Sequence, residues 1–381
     1  MKITILGVGL VGGPMARDLA ADKGTSVTAV DVSSVALDRL KRFRRIKTVQ
    51  EDLGDPGNIK RILREADMVI SAVPGFMGFK TLRAVLETGK PAVDIAFFPE
   101  DPFALGKLAK SKGVTAVVDC GVAPGMSSIL AAHAMKKLDK TRNIKIYVGG
   151  LPEIREYPYE YKAVFSPHDV IEEYVRPARY IENGKMITRP ALSDPEFLTF
   201  PGIGTLEAFN TDGLRTMAKT INVPNMKEKT LRYPGHIEKM AVLRETGFFD
   251  TQEVVVNGTR IRPLDFTAKI LFPKWKLQEG EADITVMKII VEGTKNRRPL
   301  RISYDLFDRY DERTGVHSMA RTTGYTATMA ARMIAKGIFR RKGISAPEHI
   351  GMDSRCVRFM LDGLAARGVV YRETVERLGL K

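Results

Sequence analysis

Three glycines near the start of the chain have a spacing that is typical of phosphate and dinucleotide binding. Gly7, Gly9 and Gly12 form a G-x-G-x-x-G pattern, which follows an apolar run at residues 2–6 and precedes a helical pattern at residues 15–20. In such a strand–turn–helix unit, the first glycine permits a tight turn and the second lets the backbone approach a pyrophosphate. The third allows the helix to pack closely on the strand, and the N–H groups at the helix start face the phosphates.

An acidic residue follows at the distance that suits a contact with the adenosine ribose. Residues 26–30 predict a second strand, and Asp31 closes it 19 residues after Gly12. A carboxylate at this position accepts hydrogen bonds from the ribose hydroxyl groups. No arginine occurs in Val32–Ser34, where a 2′-phosphate would need one, so the pattern favours NAD over NADP as the cofactor.

The strands that follow bring further residues to the sheet edge at which ligands of open α/β folds bind. Asp52 comes just after a predicted third strand at residues 46–49, where an adenine contact and an ordinary loop acid are equally good interpretations. Val73 and Pro74 end a predicted fourth strand at residues 68–73, and we expect them near the nicotinamide. The residues expected to bind the cofactor are Gly7, Gly9, Leu10, Val11, Gly12, Asp31, Asp52, Val73 and Pro74.

Asp119 is a candidate for chemistry because of its position. It ends a predicted strand at residues 114–119, and a turn with glycine and proline (Cys120–Gly125) and a predicted helix at residues 126–138 follow. An acid at the carboxyl end of a parallel strand lies where a reacting group can meet the cofactor. Aspartates in such turns also commonly accept hydrogen bonds from turn N–H groups, so a capping role stays open.

The alternation of helix patterns with short apolar strands is typical of a doubly wound parallel sheet. We therefore expect an α/β protein with a Rossmann NAD-binding domain over residues 1–125. A second α/β domain with a largely antiparallel sheet is expected over residues 126–325. Residues 326–336 and 354–378 show helical patterns, and these helices, within about 326–381, are expected to return to the first domain.

The predicted second domain contains longer segments than the first. Residues 284–291 and 300–305 predict a β-hairpin that turns through Gly293–Asn296. Residues 166–169 predict a polar loop, and a charge-rich helix is expected after it, up to Arg179.

Composition limits the class of protein further. The chain has 381 residues, which suits two domains, and a formal net charge of +15. Its basic runs are short and scattered, so we expect solvated surfaces and no nucleic-acid partner. Cys120 and Cys356 are the only cysteines, too few for a disulfide framework or a zinc site, so no metal is expected. The low number of cysteines fits a reducing cytoplasm, where we expect the protein. No apolar segment reaches the roughly 18 residues that cross a bilayer, so we expect a soluble protein without a membrane partner.

Several segments together resemble the saccharopine dehydrogenase-like family, and most closely its L-lysine 6-dehydrogenase members. The most specific are D-x-G-x-x-P-G at Asp119–Gly125, T-D-G-L-R at Thr211–Arg215 and R-T-T-G-Y at Arg321–Tyr325. The last two of these motifs belong to longer matching stretches at residues 207–215 and 320–325, and further matches lie at residues 7–12, 72–80, 147–152 and 171–179. The resemblance implies a Rossmann domain and a substrate-binding α/β domain that supplies a sheet-mediated contact in a homodimer or higher homo-oligomer.

The resemblance also implies NAD-dependent oxidation of the side-chain amine of L-lysine. Water converts the resulting imine to allysine with release of ammonia, and allysine cyclises to piperideine-6-carboxylate. Other family members act on the secondary amine of saccharopine, which is the first alternative. A protein that binds a dinucleotide without turnover is the second, because many Rossmann domains carry no redox chemistry.

The implied reaction needs a group that handles protons while water adds to the imine. Asp119 is the first candidate to orient the amine, and Glu207 and His168 are candidates for activating water. A histidine on a loop is more often a surface residue than a catalyst, so that interpretation of His168 stays open. His236 is a candidate of the same kind as His168, and a purely structural role in packing is the alternative interpretation.

The carboxylate end of lysine needs a cationic partner, and a planar guanidinium binds a carboxylate through two hydrogen bonds. Arg215 and Arg179 are the candidates for this contact, with Thr211 as a hydroxyl partner. Arg176 and Arg179 also stand at helical spacing from Glu172–Glu173, so surface ion pairs are the alternative interpretation.

Overall fold

The computed structural model describes residues 1–278 and 280–379, which form two compact units. Unit one contains Met1–Lys137 and Met319–Tyr371, and unit two contains Leu138–Ser318 and the segment that starts at Arg372. The strands are β1 (Lys2–Leu6), β2 (Ser26–Asp31), β3 (Ile46–Gln50), β4 (Met68–Ser71), β5 (Ala92–Asp94), β6 (Thr115–Val117), β7 (Lys140–Pro152), β8 (Ala178–Glu182), β9 (Lys185–Arg189), β10 (Glu196–Phe200), β11 (Gly204–Asn210), β12 (Asn225–Arg232), β13 (Val254–Val256), β14 (Thr259–Ile261), β15 (Asp283–Lys295), β16 (Arg298–Arg309), β17 (Gly343–Ser345) and β18 (Tyr371–Arg377). The α-helices are α1 (Gly12–Ala20), α2 (Ser34–Asp38), α3 (Pro56–Ile62), α4 (Gly75–Glu87), α5 (Gly106–Ser111), α6 (Met126–Lys136), α7 (Pro167–Val175), α8 (Met217–Thr220), α9 (His236–Glu245), α10 (Pro263–Trp275), α11 (Ser318–Ala335), α12 (Pro347–Gly351) and α13 (Ser354–Ala365).

Unit one is built on a seven-stranded sheet with the order β17-β6-β5-β4-β1-β2-β3. Every pair in it is parallel. All residues of β4 and β5 are buried, as expected of a sheet that helices cover on both faces. The chain adds β2 and β3 on one side of β1 and then β4 on the other, which creates the crevice where such sheets bind ligands. The predicted Rossmann sheet is confirmed.

The C-terminal helix α11 packs on α1, the helix that follows the glycine turn. Arg332 Nη1 donates to Asp18 Oδ2 at 2.6 Å, and Arg332 Nε donates to Asp22 Oδ2 at 2.7 Å. A Cβ at Gly324 would lie 3.1 Å from the Met15 side chain, so the two helices are in close contact. Ion pairs and close packing together fix α1 within unit one.

The ends of unit one differ from the expected boundaries. The helix α6, which we expected to open the second domain, belongs to unit one because it packs on α12, where a Cβ at Gly351 would lie 2.3 Å from the Ile129 carbonyl oxygen. The helix predicted over residues 354–378 was wrong beyond Ala365. Gly368, with a φ of 80°, lies in the connection that follows α13, and the chain then forms β18 in the sheet of unit two.

Unit two is built on a nine-stranded mixed sheet. Seven of its strands are hydrogen-bonded in the order β10-β11-β12-β7-β15-β16-β18. The other two extend from β12, because β8 pairs with β12 and β9 pairs with β8. β12 and β7 run parallel, whereas β10–β11–β12 and β7–β15–β16 are antiparallel. The expected second α/β domain with a largely antiparallel sheet is confirmed.

The predicted hairpin is present as β15 and β16, but its turn is shorter and lies later in the chain. Asn296 and Arg297 form the turn, with φ values of 50° and 61°. Two residues in this left-handed conformation match the twist of an antiparallel pair. Gly293 lies inside β15 instead, where a Cβ would lie 2.1 Å from the Lys140 carbonyl oxygen of β7.

The segment around α7 also differs from the prediction. Asp169 N donates to the Ser166 side chain at 3.5 Å, so the expected polar loop is the first turn of α7. The helix ends at Val175, because Pro177 disfavours helical backbone at the residue before it. Arg179 therefore lies on β8 and not on a helix.

Within residues 1–278 and 280–379, none of the helices has the length and apolar character that crossing a membrane requires. In the same ranges, no group of three or more His, Cys, Asp or Glu side chains is arranged to hold a metal ion.

Candidate active site

The glycine turn of unit one has the geometry that a dinucleotide needs. Gly7 has a φ of 86°, and a Cβ there would lie 2.6 Å from the Ala72 carbonyl oxygen. A Cβ at Gly12 would lie 2.0 Å from the Gly7 carbonyl oxygen, so a side chain would push α1 away from the turn. At Gly9, by contrast, no atom of the described residues lies within 4 Å of the Cβ position. The backbone is open to a ligand there, and the turn fits a pyrophosphate.

Asp31 ends β2 and is tied to the same turn. Its Oδ2 accepts a hydrogen bond from Val8 N at 2.8 Å, and its Oδ1 accepts one from Ser33 N at 2.9 Å. Each carboxylate oxygen has two lone pairs, so ribose hydroxyl groups can still donate to Asp31. Val32, beside it, is 66% exposed and brings no positive charge. These residues fit the adenosine half of a nicotinamide dinucleotide.

The other residues that we expected to bind the cofactor follow strands of this sheet. Leu10–Val11 directly precede α1, and the Leu10 side chain is exposed. Asp52 Oδ1 accepts a hydrogen bond from Gly54 N at 2.8 Å, which is the bond of an ordinary loop acid. Val73–Pro74 directly precede α4, and the Val73 side chain is buried.

Asp119 follows β6 at the carboxyl edge of the same sheet. Its side chain is 2% exposed, and its φ of 51° lies in the left-handed region that few residues other than glycine adopt. The turn after it closes on itself, because Gly121 N donates to the Pro124 carbonyl oxygen at 3.0 Å. A Cβ at Gly125 would lie 2.0 Å from the Gly121 carbonyl oxygen, so this turn requires glycine. A tight, glycine-dependent turn therefore begins two residues after Asp119, at the carboxyl edge of the sheet.

A second acid near Asp119 escaped the sequence analysis. Asp94 ends β5, beside β6, and its fully buried side chain accepts a hydrogen bond from Ala96 N at 2.8 Å. Burial raises the pKa of the Cys120 thiol far above its usual value, and the charges of Asp119 and Asp94 raise that pKa further. Cys120 is therefore a protonated thiol and not a nucleophile. An acid that closes a short apolar strand is the signal that could have identified Asp94.

In unit two, the segment Thr211–Arg215 brings together the residues that we expected to bind an amino acid. Thr211, Asp212 and Arg215 are all buried, and Arg215 has a φ of 49°. Arg179 Nε and Nη2 donate to the two Asp212 carboxylate oxygens at 2.8 and 2.6 Å. The Thr211 hydroxyl lies 3.0 Å from the Thr230 hydroxyl. Arg179 thus anchors the turn through Asp212, and Arg215 lies buried in the same turn.

The two candidates for activating water have other contacts in unit two. Glu207 lies on β11, and its Oε2 accepts a hydrogen bond from Gly235 N at 3.0 Å, at the start of α9. His168 is exposed in the first turn of α7, where its ring packs edge-on against Phe272 with 4.7 Å between ring centroids. These contacts favour a structural role for Glu207 and a surface role for His168.

His236 lies in a buried polar cluster of unit two. Its Nε2 is 2.9 Å from the Tyr174 hydroxyl, and its Nδ1 is 2.9 Å from the Tyr159 carbonyl oxygen. Burial, and then the positive charge of Arg232, lower the pKa of His236 to about 3. The imidazole is therefore neutral at physiological pH and packs within the core of this unit.

The same cluster contains a buried ion pair. Arg232 Nη2 donates to Glu173 Oε2 at 2.5 Å, and the Arg232 side chain is only 2% exposed. The interpretation of Glu173 as part of a surface pair was therefore wrong, because α7 packs this residue toward β12. Arg176 and Glu172 do form a simple pair one helical turn apart, at 2.9 Å.

A parallel Rossmann sheet with an open glycine turn, joined in sequence to a mixed-sheet unit with a buried charged turn, defines a two-unit dinucleotide-binding protein. Residues 3–117 match the family model described as the saccharopine dehydrogenase NADP binding domain. Residues 121–369 match the model described as the saccharopine dehydrogenase C-terminal domain, which covers more than half of the chain. The chain belongs to the saccharopine dehydrogenase family. Its cofactor is accordingly a nicotinamide dinucleotide.

Known relatives are similar along nearly the whole chain. The mitochondrial alpha-aminoadipic semialdehyde synthase of Mus musculus is 22% identical over 97% of this chain and 47% of its own length. The chain thus spans about half the length of that relative. The carboxyaminopropylagmatine dehydrogenase of a Synechocystis strain is 23% identical over 98% of both chains. The apo saccharopine dehydrogenase (L-Glu forming) of Saccharomyces cerevisiae has the same fold, with a TM-score of 0.81, 18% identity and coverage of 98% of this chain and 99% of that chain.

Proposed function

We propose that this protein is an oxidoreductase that uses NAD to oxidise the side-chain amine of L-lysine, giving allysine and ammonia. The observation that carries the choice of lysine is the pairing of Arg179 with Asp212 through two hydrogen bonds. Arg179 is therefore assigned to holding the turn, and we assign the substrate carboxylate to Arg215 because it lies in the buried turn Thr211–Arg215. One such contact suits an amino acid with a single carboxylate better than saccharopine, which carries several.

NAD is proposed in preference to NADP. The glycine turn at Gly7–Gly12 and Asp31 would hold the pyrophosphate and the ribose. A 2′-phosphate would meet the Asp31 carboxylate, and the adjacent Val32–Ser34 bring no cation to offset that repulsion. Held by these residues, the cofactor would supply the hydride acceptor for oxidation of the carbon that bears the amine.

The remaining chemistry is assigned to residues of this chain. Lysine arrives with a protonated side-chain amine, and the Asp119 carboxylate holds this group and accepts its proton. Arg215 binds the substrate carboxylate, and the Thr211 hydroxyl supports that contact. The proton taken from the amine then passes on to solvent, which returns Asp119 to its carboxylate form. Because Glu207 and His168 have other contacts, we also assign to this carboxylate the acceptance of a proton from the water that attacks the imine, with Glu207 as the alternative.

A substrate screen tests the proposal. The purified chain is mixed with NAD or NADP and with lysine, saccharopine, glutamate or cadaverine, and formation of the reduced cofactor is followed by absorbance. The expected result is turnover with lysine and NAD, with release of ammonia in equal amount. Turnover with saccharopine and not with lysine would overturn the choice of substrate. Binding of NAD without turnover on any amine would make the chain a dinucleotide-sensing protein.

A further inference from the structure

Unit one contains a cavity of about 1010 Å³ that the cofactor and the proposed substrate do not use. It lies between the segment that follows α11, the end of α12 and the first turns of α13. One of the short basic runs of the sequence, Arg340–Lys342, contributes to it. The charged side chains that line the cavity are Arg340, Arg341, Arg355, Arg358, Asp353 and Asp362.

This cavity lies at the other edge of the parallel sheet from the cofactor crevice. The glycine turn and Asp119 follow the carboxyl ends of β1 and β6, whereas residues 337–341 precede the amino end of β17, which is parallel to β6. The helix α6 starts after the Asp119 turn and ends at Lys136, whose Nζ donates to the Met352 carbonyl oxygen at 3.0 Å. Met352 lines the cavity. With 11 residues, α6 separates the two places by roughly 16 Å.

One arginine of the lining is matched by an acid. Arg355 Nη2 donates to Asp353 Oδ2 at 2.9 Å, and Arg355 N donates to Asp353 Oδ1 at the same distance. The bond from the Arg355 side chain is the main cause that lowers the pKa of Asp353 to about 2. Both groups are therefore charged at physiological pH, and their charges offset each other.

The other three arginines of the lining exceed the acids available to them. Arg340 Nε donates to the Gly337 carbonyl oxygen at 2.6 Å, which is a neutral acceptor and leaves the positive charge unmatched. In residues 1–278 and 280–379, neither Arg341 nor Arg358 forms an ion pair with a carboxylate. Asp362 is the remaining acid of the lining. The cavity therefore has an excess of positive charge, with guanidinium groups that can still donate hydrogen bonds.

His349 adds a neutral donor to the lining. Its Nδ1 accepts a hydrogen bond from Ala346 N at 3.0 Å, so the ring carries its proton on Nε2. Burial, and then the charge of Arg341, lower the pKa of His349 to about 4. The ring is therefore neutral at physiological pH, and its Nε2 donates without adding charge.

We infer that this cavity is a second anion site, which binds a small ligand of the phosphate class with two or more negative charges, such as a diphosphate group. Guanidinium groups bind phosphate oxygens through paired hydrogen bonds. A diphosphate concentrates several acceptor oxygens and negative charges in a small volume. It therefore matches three arginines and a neutral N–H donor better than a single carboxylate does. The inference goes beyond the proposed function, because oxidation of lysine needs no such ligand.

Calorimetric titration with inorganic pyrophosphate, in the presence of saturating NAD, tests the site. NAD occupies the glycine turn, so pyrophosphate has to bind elsewhere, and we expect one pyrophosphate per chain. Arg341→Gln and Arg358→Gln should each weaken this binding by about three- to tenfold, between the effect of an exposed ion pair and that of a charge-assisted hydrogen bond. Asp362→Asn should strengthen it by about two- to fivefold, because a repelling charge is removed.

Arg64→Gln is the matched control, because it removes an exposed arginine of unit one that lies outside the cavity. Its affinity for pyrophosphate should equal that of the unmodified chain, and thermal unfolding reports whether each variant folds. ADP, titrated in the same way, distinguishes two sources of the phosphate group. Tighter binding of ADP identifies a nucleotide, and equal binding identifies recognition through the phosphates alone.

Three results would overturn the inference. The first is no binding of pyrophosphate to the NAD-saturated chain. The second is an unchanged affinity in both Arg341→Gln and Arg358→Gln, because pyrophosphate would then bind at another place. The third is equally tight binding of citrate, which carries several carboxylates and no phosphate, because the cavity would then attract any multivalent anion. None of these measurements uses lysine, so their outcome is separate from that of the proposed function.

Discussion

Because His236 is buried and neutral, we expect acid pH to lower the free energy of unfolding of unit two by a measurable amount. The histidine has an ordinary pKa near 6.5, and burial followed by the charge of Arg232 lowers its pKa in the folded chain to about 3. As the pH falls below 6.5, the unfolded chain takes up a proton at this position and the folded chain does not. The stabilisation present above that pH is therefore lost progressively between pH 6.5 and about 3.

The size of the effect follows from these two pKa values. Between about pH 7 and about pH 5, one such histidine costs about 2 kcal/mol of unfolding free energy. For a unit of this size that corresponds to a fall in Tm of roughly 4–8 °C. Burial also raises the pKa of Glu173, so proton uptake by the folded chain at that residue acts in the opposite direction. A comparison of variants that all retain Glu173 removes this contribution.

The assay is thermal unfolding by calorimetry at a series of pH values for the unmodified chain, His236→Gln and His168→Gln. His236→Gln should have a lower Tm near neutral pH and a shallower dependence of Tm on pH. His168→Gln removes an exposed histidine and should keep the dependence of the unmodified chain. If His236→Gln retains the full dependence, another group is responsible, and the reasoning about His236 is wrong.

Three further outcomes test the proposed binding sites. Asp31→Ser combined with Val32→Arg should shift the preference from NAD toward NADP in steady-state kinetics, and equal use of both cofactors by the unmodified chain would contradict the role of Asp31. Arg215→Ala should raise KM for lysine by roughly tenfold or more with little change in NAD affinity, whereas an unchanged KM would remove Arg215 from the site. Gly12→Ala should weaken NAD binding in calorimetry and lower Tm, because its Cβ would lie 2.0 Å from a carbonyl oxygen of the turn. Gly106→Ala, where no described atom lies within 4 Å of the new methyl group, is its control.

Features encoded by neighbouring residues could be predicted from the sequence. The glycine turn and Asp31 depend on a local strand–turn–helix pattern, and the structure has that pattern in the expected parallel sheet. The hairpin of β15 and β16 was also predicted, although its turn was placed too early. We expected the turn to begin at Gly293, but the residues that adopt the left-handed conformation of the turn are Asn296 and Arg297.

Features that depend on distant contacts could not be predicted in this way. Residues 371–377 contain glutamates and arginines that suit an exposed helix, and pairing with β16 makes them a strand. Arg179 was selected for its charge, but its partner Asp212 lies 33 residues later and becomes a neighbour only through the fold. The cavity that Arg341 and Arg358 line escaped the sequence analysis for the same reason.

The most direct test of the account is the rate of NADH formation from lysine by the unmodified chain and by Asp119→Asn. The substitution nearly preserves the shape of the carboxylate, but the amide cannot accept a proton. The account predicts NAD-dependent oxidation of lysine by the unmodified chain, and a fall in kcat of about a hundredfold to ten-thousandfold in the variant, with NAD affinity kept. Absence of lysine oxidation in the unmodified chain, or a variant that retains more than about a tenth of the rate, would contradict it.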